Sequence, residues 1–379
     1  MDTAVNLTRS TRLLAVAAIG ALTLGLAACG SDNEPDASPT GSTGSATTPA
    51  STQISGQFRG AGSSAQKAAI AAWTAQFQGE NPGATVNYDA VGSGAGREQF
   101  LAGGVPWAGS DAALKDEEIA SSTTVCGADG AFNVPVYISP ILVAFNLPGI
   151  TTLNLAPATI ADIFSGKITT WDDKEIAADN PDVNLPSTKI TPVHRSDKSG
   201  TTQNFTDYLH ATAPDAWTDE SSDTWPLDGG NSGEGTSGLI GVVSGTEGAV
   251  GYADESGVTG DLGHALVKVG DTWTDASAEG AAAVVDASPL ATGRSSNDIS
   301  VQIDRTVTTA GAYPLILVSY SIVCSEYTDA AQGDFVKAFV GYQVSPEGQQ
   351  VAAAASGSAP LSEAMSTKAA ASIAAIKVG

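Results

Sequence analysis

Cysteine, histidine and methionine are scarce in this chain of 379 residues, which holds three Cys, three His and two Met. His194, His210 and His264 make no ligand-spaced cluster with any cysteine, which argues against a Cys/His metal centre. Positive charge is scarce too: 17 Lys and Arg stand against 41 Asp and Glu, for a net charge of −24. Phosphate backbones need basic patches, so nucleic acid is not an expected partner. No serine has glycine both two residues before it and two residues after, so the nucleophile elbow of a serine hydrolase is missing. Lys198-Ser199-Gly200 has the wrong order for a P-loop. Past the N-terminus no apolar run is long enough to cross a bilayer; residues 281–285 and 351–355 are far too short.

The N-terminus is different. Arg9 and Arg12 precede an apolar run over 13–26, which ends in Leu26-Ala27-Ala28-Cys29. A basic start, an apolar stretch and small residues before a break predict a secretory signal over 1–28. A cysteine at the break makes it a lipoprotein box, with Cys29 lipidated; the alternative is an ordinary signal with an incidental cysteine. Residues 29–53 then read as the lipidated Cys and a tether. Of the 23 residues over 31–53, 15 are Ser, Thr, Pro or Gly, and none is Val, Ile, Leu, Met or aromatic. Such a segment buries too little apolar surface to order itself. As a coil it spans about 25 Å. The expected location is extracytoplasmic, with the lipid as the only link to the membrane.

The remaining body, 54–379, has room for one large or two medium domains. Cys126 and Cys324 are then an even pair in an oxidising compartment and read as a disulfide, with two buried free thiols as the alternative. The mature chain carries 15 basic and 40 acidic residues, a net charge of −25. Its overall field repels an anion, so any anion site must work through local donors.

The segment richest in such donors is His194-Arg195-Ser196-Asp197-Lys198-Ser199-Gly200-Thr201-Thr202. Arginine presents a planar fork that matches two oxygens at once. Ser199, Gly200 and Thr201 add hydroxyl and main-chain donors, and residues 202–209 read as a helix, whose N-terminus attracts an anion. The bland alternative is a capped helix with Arg195 paired to Asp197 on the surface.

Strand and helix alternate early in the body. A strand over 54–59 leads into Gly60-Ala61-Gly62-Ser63-Ser64, then a helix lined by Ala65, Ala69, Ala72, Trp73 and Phe77. Val86 and Tyr88 mark a second strand, which runs into Val91-Gly92-Ser93-Gly94-Ala95-Gly96 and a helix over 97–101. This predicts an α/β fold with ligand sites at the carboxyl ends of strands. Residues 134–146, with Pro135 and Pro140, and 313–323, around Pro314, are long apolar runs. Both read as crossovers between lobes, with two long strands of one sheet as the alternative. The expected boundaries are 54–138 plus 318–379 for lobe I and 139–317 for lobe II, hinged around a cleft.

In this order the motifs resemble those of the phosphate-binding lipoproteins that serve phosphate-specific ABC importers. The likeness rests on the first two Gly/Ser loops above, Trp107-Ala108-Gly109-Ser110-Asp111, Phe164-Ser165-Gly166-Lys167-Ile168 with Trp171-Asp172, Arg195 to Thr201, and Gly248-Ala249-Val250-Gly251-Tyr252. It implies a two-lobe periplasmic-binding-protein-like fold that closes around inorganic phosphate. Ser64, with its neighbour Ser63, and the Ala65 N–H would donate from the first loop, and Ser93 from the second. Where that family often has an aromatic, this chain has Ala65, which keeps the main-chain donor. Asp111 would contact the ligand from the third loop. Arg195, Ser199, Gly200 and Thr201 would close from the second lobe, with Asp197 holding the Arg195 fork. Partners would be the transmembrane subunits of the importer; no cofactor, metal or catalysis is expected, and the body would be a monomer.

Asp111 is informative because an ionised carboxylate only accepts hydrogen bonds. Phosphate near neutral pH carries a proton to give it; fully ionised sulfate does not and would be repelled. Asp111 as the cap of a helix over 112–119 is the alternative reading. Arsenate shares the proton of phosphate; sulfate, molybdate or a surface anion sensor are the other readings of the same cleft.

Overall fold

The structure, a computed structural model, describes residues 53–379. The expected signal, Cys29 and all of the tether but Gln53 lie outside the described residues. The chain runs β1 (Gly56–Gly62), α1 (Lys67–Glu80), β2 (Ala84–Asp89), α2 (Ser93–Leu101), β3 (Trp107–Ser110), α3 (Asp116–Cys126) and the long β4 (Ala131–Phe145). There follow β5 (Thr152–Leu155), α4 (Pro157–Phe164), α5 (Lys174–Asp179), β6 (Thr191–Arg195), α6 (Gly200–Thr212), β7 (Asn231–Gly233), α7 (Gly235–Gly245), β8 (Ala249–Asp254), β9 (Gly263–Val269), β10 (Thr272–Thr274) and α8 (Ala278–Ala287). The chain returns through β11 (Ile316–Cys324) and β12 (Glu326–Tyr327) and finishes with α9 (Ala330–Val344), α10 (Pro346–Ser356), α11 (Glu363–Ala374) and β13 (Lys377–Val378).

Strand order β2-β1-β3-β11-β4-β8-β6-β7 runs through both halves. β4 belongs to both: 131–140 pairs antiparallel with β11, and 141–145 pairs with β8. All fifteen of its residues are buried, as the long apolar run predicts. Proline cannot donate to a ladder, and at Pro135 the register with β11 slips, leaving Val136 extra on β4. β11 pairs with β3 and β4, and just before it the Leu315 carbonyl still accepts from Ile141 N–H at 2.8 Å. Among the described residues each half has its own aromatic cluster. Phe58 stacks on Phe335 at 4.0 Å, Phe339 lies nearly parallel to Phe335, and Phe77 is edge-on to both Phe335 and Phe339. On the other side Phe205 stacks on Tyr252 at 4.2 Å, between Phe164 and Trp225. The buried apolar residues of the two halves are nonetheless continuous, joined through β4 and β11.

Two expected elements shift. α1 buries Ile70 rather than Ala72 beside Ala69, Trp73 and Phe77, because its turns bring positions 69–70, 73 and 77 onto one face. The expected helix over 97–101 starts four residues earlier, at Ser93. Gly92, at φ +91°, makes the turn, so Ser93 opens a helix rather than sitting mid-loop. Cys126 and Cys324 are joined, tying the end of α3 to the end of β11 across 198 residues. Chain-entropy arguments put such a closure at about 5 kcal/mol.

Where β4 passes between the halves, Asp254 ends β8 opposite Ile141. Its carboxylate is fully buried and receives Tyr137 O–H at 3.1 Å on both oxygens and Ser256 N–H at 3.0 Å. Burial raises its pKa to about 7; the charge of Asp111 pushes the same way, against hydrogen bonds from Ser256, Ser139 and Tyr137. The folded state therefore holds a proton that the unfolded chain, with an ordinary value of about 3.9, has released. Asp254's contribution to stability is greatest at low pH and declines as pH rises from about 4 through 7. Asp254→Asn is expected to gain on wild type in thermal midpoint on going from pH 5 to pH 8. Equal pH profiles for the two proteins would show that this carboxylate does not titrate as stated.

Candidate anion-binding site between the lobes

Four chain segments converge at the carboxyl ends of β1, β3 and β6 and at the start of α2. In parallel sheets this is where main-chain donors and helix N-termini face a common crevice. Ser199 caps α6 from extended backbone, and its Oγ accepts Thr202 N–H at 3.2 Å. Gly200 is then the first helical residue. A Cβ there would lie 2.6 Å from Ser93 Oγ and 2.7 Å from Asp111 Cβ. Only glycine lets α6 come this close to the first lobe.

Asp111 sits at the centre, 3% exposed. Ser319 Oγ donates to its Oδ1 at 2.7 Å; Ser93 Oγ and Thr201 Oγ1 approach Oδ2 at 3.3 and 3.4 Å. Its own N–H donates to Ser93 Oγ at 3.1 Å, and its carbonyl accepts Asn204 Nδ2 at 2.7 Å. Burial pushes the Asp111 pKa up, partly offset by hydroxyls of Ser63, Ser319 and Ser93 and by the charge of Arg195. Asp111 does not cap a helix. α3 begins only at Asp116, where the Glu118 carboxylate receives Lys115 N–H at 2.8 Å.

Arg195 is as buried as Asp111. Its Nε donates to Asp197 Oδ1 at 2.7 Å and Nη2 to Oδ2, a fork-on-carboxylate pair that fixes the guanidinium plane. The pair expected to be solvated in the bland reading is therefore enclosed. Burial raises the Asp197 carboxyl, but Arg195 and the Gly235 N–H at 2.9 Å outweigh it, and its pKa lies below the usual value. Tyr252 of the Gly248–Tyr252 motif backs this corner, its hydroxyl accepting Arg195 N–H at 3.3 Å and meeting Thr202 Oγ1 at 2.8 Å.

Ser63, Ser64, Ala65, Ser93, Asp111, Arg195, Ser199, Gly200 and Thr201 are all buried where these segments meet. The first-loop donors have protein partners: Ala65 N–H donates to Ser63 Oγ at 3.0 Å. Ser64 Oγ accepts Thr236 N–H at 3.0 Å across the cleft and lies 3.0 Å from its hydroxyl. Three contributors escape sequence reasoning: Ser319, Asn204 and Thr236. Ser319 lies inside an apolar strand and Thr236 in a Gly-rich helix start, with no local pattern to mark either. Among the described residues no group of three or more His, Cys, Asp or Glu is placed to hold a metal ion, and no helix is long and apolar enough to cross a membrane.

Two lobes joined by a shared strand, with a buried donor-lined junction between them, define a substrate-binding protein, and the PBP superfamily domain matches residues 47–347. Phosphate-binding protein PstS 2 of Mycobacterium tuberculosis is 32% identical over 369 residues, covering 96% of this chain and 98% of that one. PstS 3 of Mycobacterium leprae is 34% identical over 351 residues, covering 86% and 89%. Among solved structures, the periplasmic phosphate-binding protein PfluDING bound with phosphate superposes with a TM-score of 0.67 at 23% identity, over 83% of this chain and 93% of that one. The phosphate binding protein from Stenotrophomonas maltophilia superposes with 0.65 at 21%, over 84% and 94%. At these identities the superpositions speak for the fold. The chain belongs to the family of PstS phosphate-binding proteins, the substrate-binding proteins of phosphate-specific ABC importers. That family is one of binding and transport proteins rather than enzymes.

Proposed function

We propose that this protein binds inorganic phosphate outside the cell, between lobe I (54–138 plus 318–379) and lobe II (139–317), and passes it to the transmembrane subunits of an ABC importer. A lipid on Cys29 and the tether hold the monomeric body at the outer face of the membrane. Its role is binding without chemical change of the anion.

The observation that carries this reading is the buried, hydroxyl-surrounded carboxylate of Asp111 beside the oriented Arg195 fork. A lone carboxylate suits an anion only if the anion brings a proton for it. Ser93, Ser199, Thr201, Arg195 and the amides at the start of α6 supply donors for the remaining oxygens, with Ser63, Ser64 and Ala65 released from their present partners to join them. Charge-assisted bonds contribute roughly 1.5–3 kcal/mol each, so a few convergent ones reach micromolar affinity without bulk positive charge.

The test is calorimetric titration of purified, anion-stripped protein with phosphate and with sulfate at pH 8. Saturable heat with phosphate and none with sulfate is expected. No heat and no thermal-shift response to phosphate would end the proposal.

A further inference from the structure

Arg97 lies one helical turn after Ser93 on α2 and is 3% exposed, a buried cation that no step above uses. Its guanidinium reaches three places. Nε donates to Glu118 Oε1 on α3 at 3.0 Å, and Nη1 to Ser110 Oγ at the end of β3 at 3.2 Å. Nη2 crosses to the other lobe and donates to Asp223 Oδ2 at 2.8 Å, in the segment between α6 and β7.

Two of these acceptors adjoin the anion site. The Ser110 hydroxyl accepts Ala112 N–H at 3.3 Å and donates to Ala112 carbonyl at 2.6 Å, pinning the backbone on both sides of Asp111. The Asp223 carbonyl accepts Ser199 N–H at 2.8 Å, holding the residue that caps α6. One guanidinium thus bonds to the supports of both the Asp111 loop and the Ser199 cap. A second pair also crosses the cleft, Lys198 Nζ to Glu98 Oε1 at 2.6 Å, but its side chains are 55% and 62% exposed. Water screens that pair, and exposed pairs contribute little. Asp223 is 17% exposed; its Oδ1 accepts Thr224 Oγ1 from its own segment at 3.2 Å, and its Oδ2 takes the charged contact from Arg97 across the cleft, a pair shielded from water as the Lys198–Glu98 pair is not.

We propose that Arg97 and Asp223 are positioning residues that latch the closed cleft and set the rate at which the anion leaves. The anion part rests on the phosphate reading above; the latch part does not. When the lobes part, Glu118 keeps Arg97 in place and Asp223 returns to solvent. Interactions formed only in the closed form act on dissociation more than on encounter.

The test uses the full chain, purified in detergent, as wild type, Asp223→Asn, Arg97→Lys and Glu98→Gln. Asp223→Asn keeps the carbonyl that holds Ser199 and removes only the charge pair. It is expected to raise the phosphate dissociation rate about 10- to 100-fold in stopped flow, with the association rate within about threefold and the anion-free thermal midpoint nearly unchanged. Arg97→Lys should fall between it and wild type, and Glu98→Gln should stay within twofold of wild type. An unchanged dissociation rate in Asp223→Asn overturns the latch, as does an equal effect from Glu98→Gln. If wild type itself gives no phosphate response, the phosphate reading fails and the latch is judged by small-angle scattering of anion-free protein. A larger radius of gyration for Asp223→Asn then supports it, and identical radii overturn it.

Discussion

Arg195→Ala is expected to weaken phosphate binding by about two to three orders of magnitude. The guanidinium is the one charged fork among the residues assigned to the anion, and losing its charge-assisted bonds costs about 3–4 kcal/mol in total. The loss goes beyond contact. Arg195 now neutralises Asp197, which is 13% exposed at the mouth of α7. Without Arg195 that carboxylate faces the incoming anion with only the Gly235 N–H as its partner among the bonds described. A second signature follows from the same pair. Asp197 titrates below the ordinary carboxylate value because Arg195 outweighs the cost of burial. A depressed group contributes stability above its unfolded value and loses it as pH falls through its folded value. Arg195→Ala should therefore lower the thermal midpoint near neutrality, and the gap to wild type should narrow on acidification. Calorimetric titration and melting curves from pH 7 down to pH 3 check both parts. An unaltered dissociation constant would remove Arg195 from the site.

Asp111→Asn is expected to collapse the preference for phosphate over sulfate by about three orders of magnitude. The asparagine fits the same space, but its single oxygen can accept from only one of Ser319 and Ser93, which bond to different oxygens of Asp111, and the new amide can donate. Sulfate then meets a donor instead of a desolvated negative charge, a change of several kcal/mol. Phosphate loses the acceptor for its proton and binds more weakly. Wild type should show a milder version with pH alone. Burial raises the Asp111 pKa, and lowering the pH toward that value protonates the side chain and turns it into a donor. Sulfate affinity should rise as pH falls from 8 to 5 in wild type and stay flat in Asp111→Asn. Parallel titrations with both anions at both pH values measure this; equal discrimination by variant and wild type would strip Asp111 of its selective role.

Much of this architecture can be read from sequence because each part rests on local pattern. The Ser199 cap followed by a helix, the apolar run that became β4 and the two cysteines needed only spacing and composition. Errors fell where local pattern is ambiguous. Gly94 and Gly96 read as loop, yet they lie in the first turns of α2 because packing against the other segments outweighs their weak helix preference. For Asp111 it is the alternative reading, a helix cap, that fails: α3 waits for Asp116, and the Asp111 carboxylate bonds to Ser319, Ser93 and Thr201 instead.

By itself the sequence determined the alternation of strands and helices, the Gly/Ser loops that follow the strands and the Arg195-Asp197 pair, because these arise between near neighbours in the chain. Tertiary structure alone decided that Ser319 donates to Asp111 across 208 residues, that Thr236 reaches Ser64 across 172, and that Arg97 holds Asp223 across 126. Serine, threonine and arginine at such positions carry no periodic or spacing signal. Their roles exist only once the two lobes meet, when every polar group caught in the junction must find a partner or leave a costly vacancy.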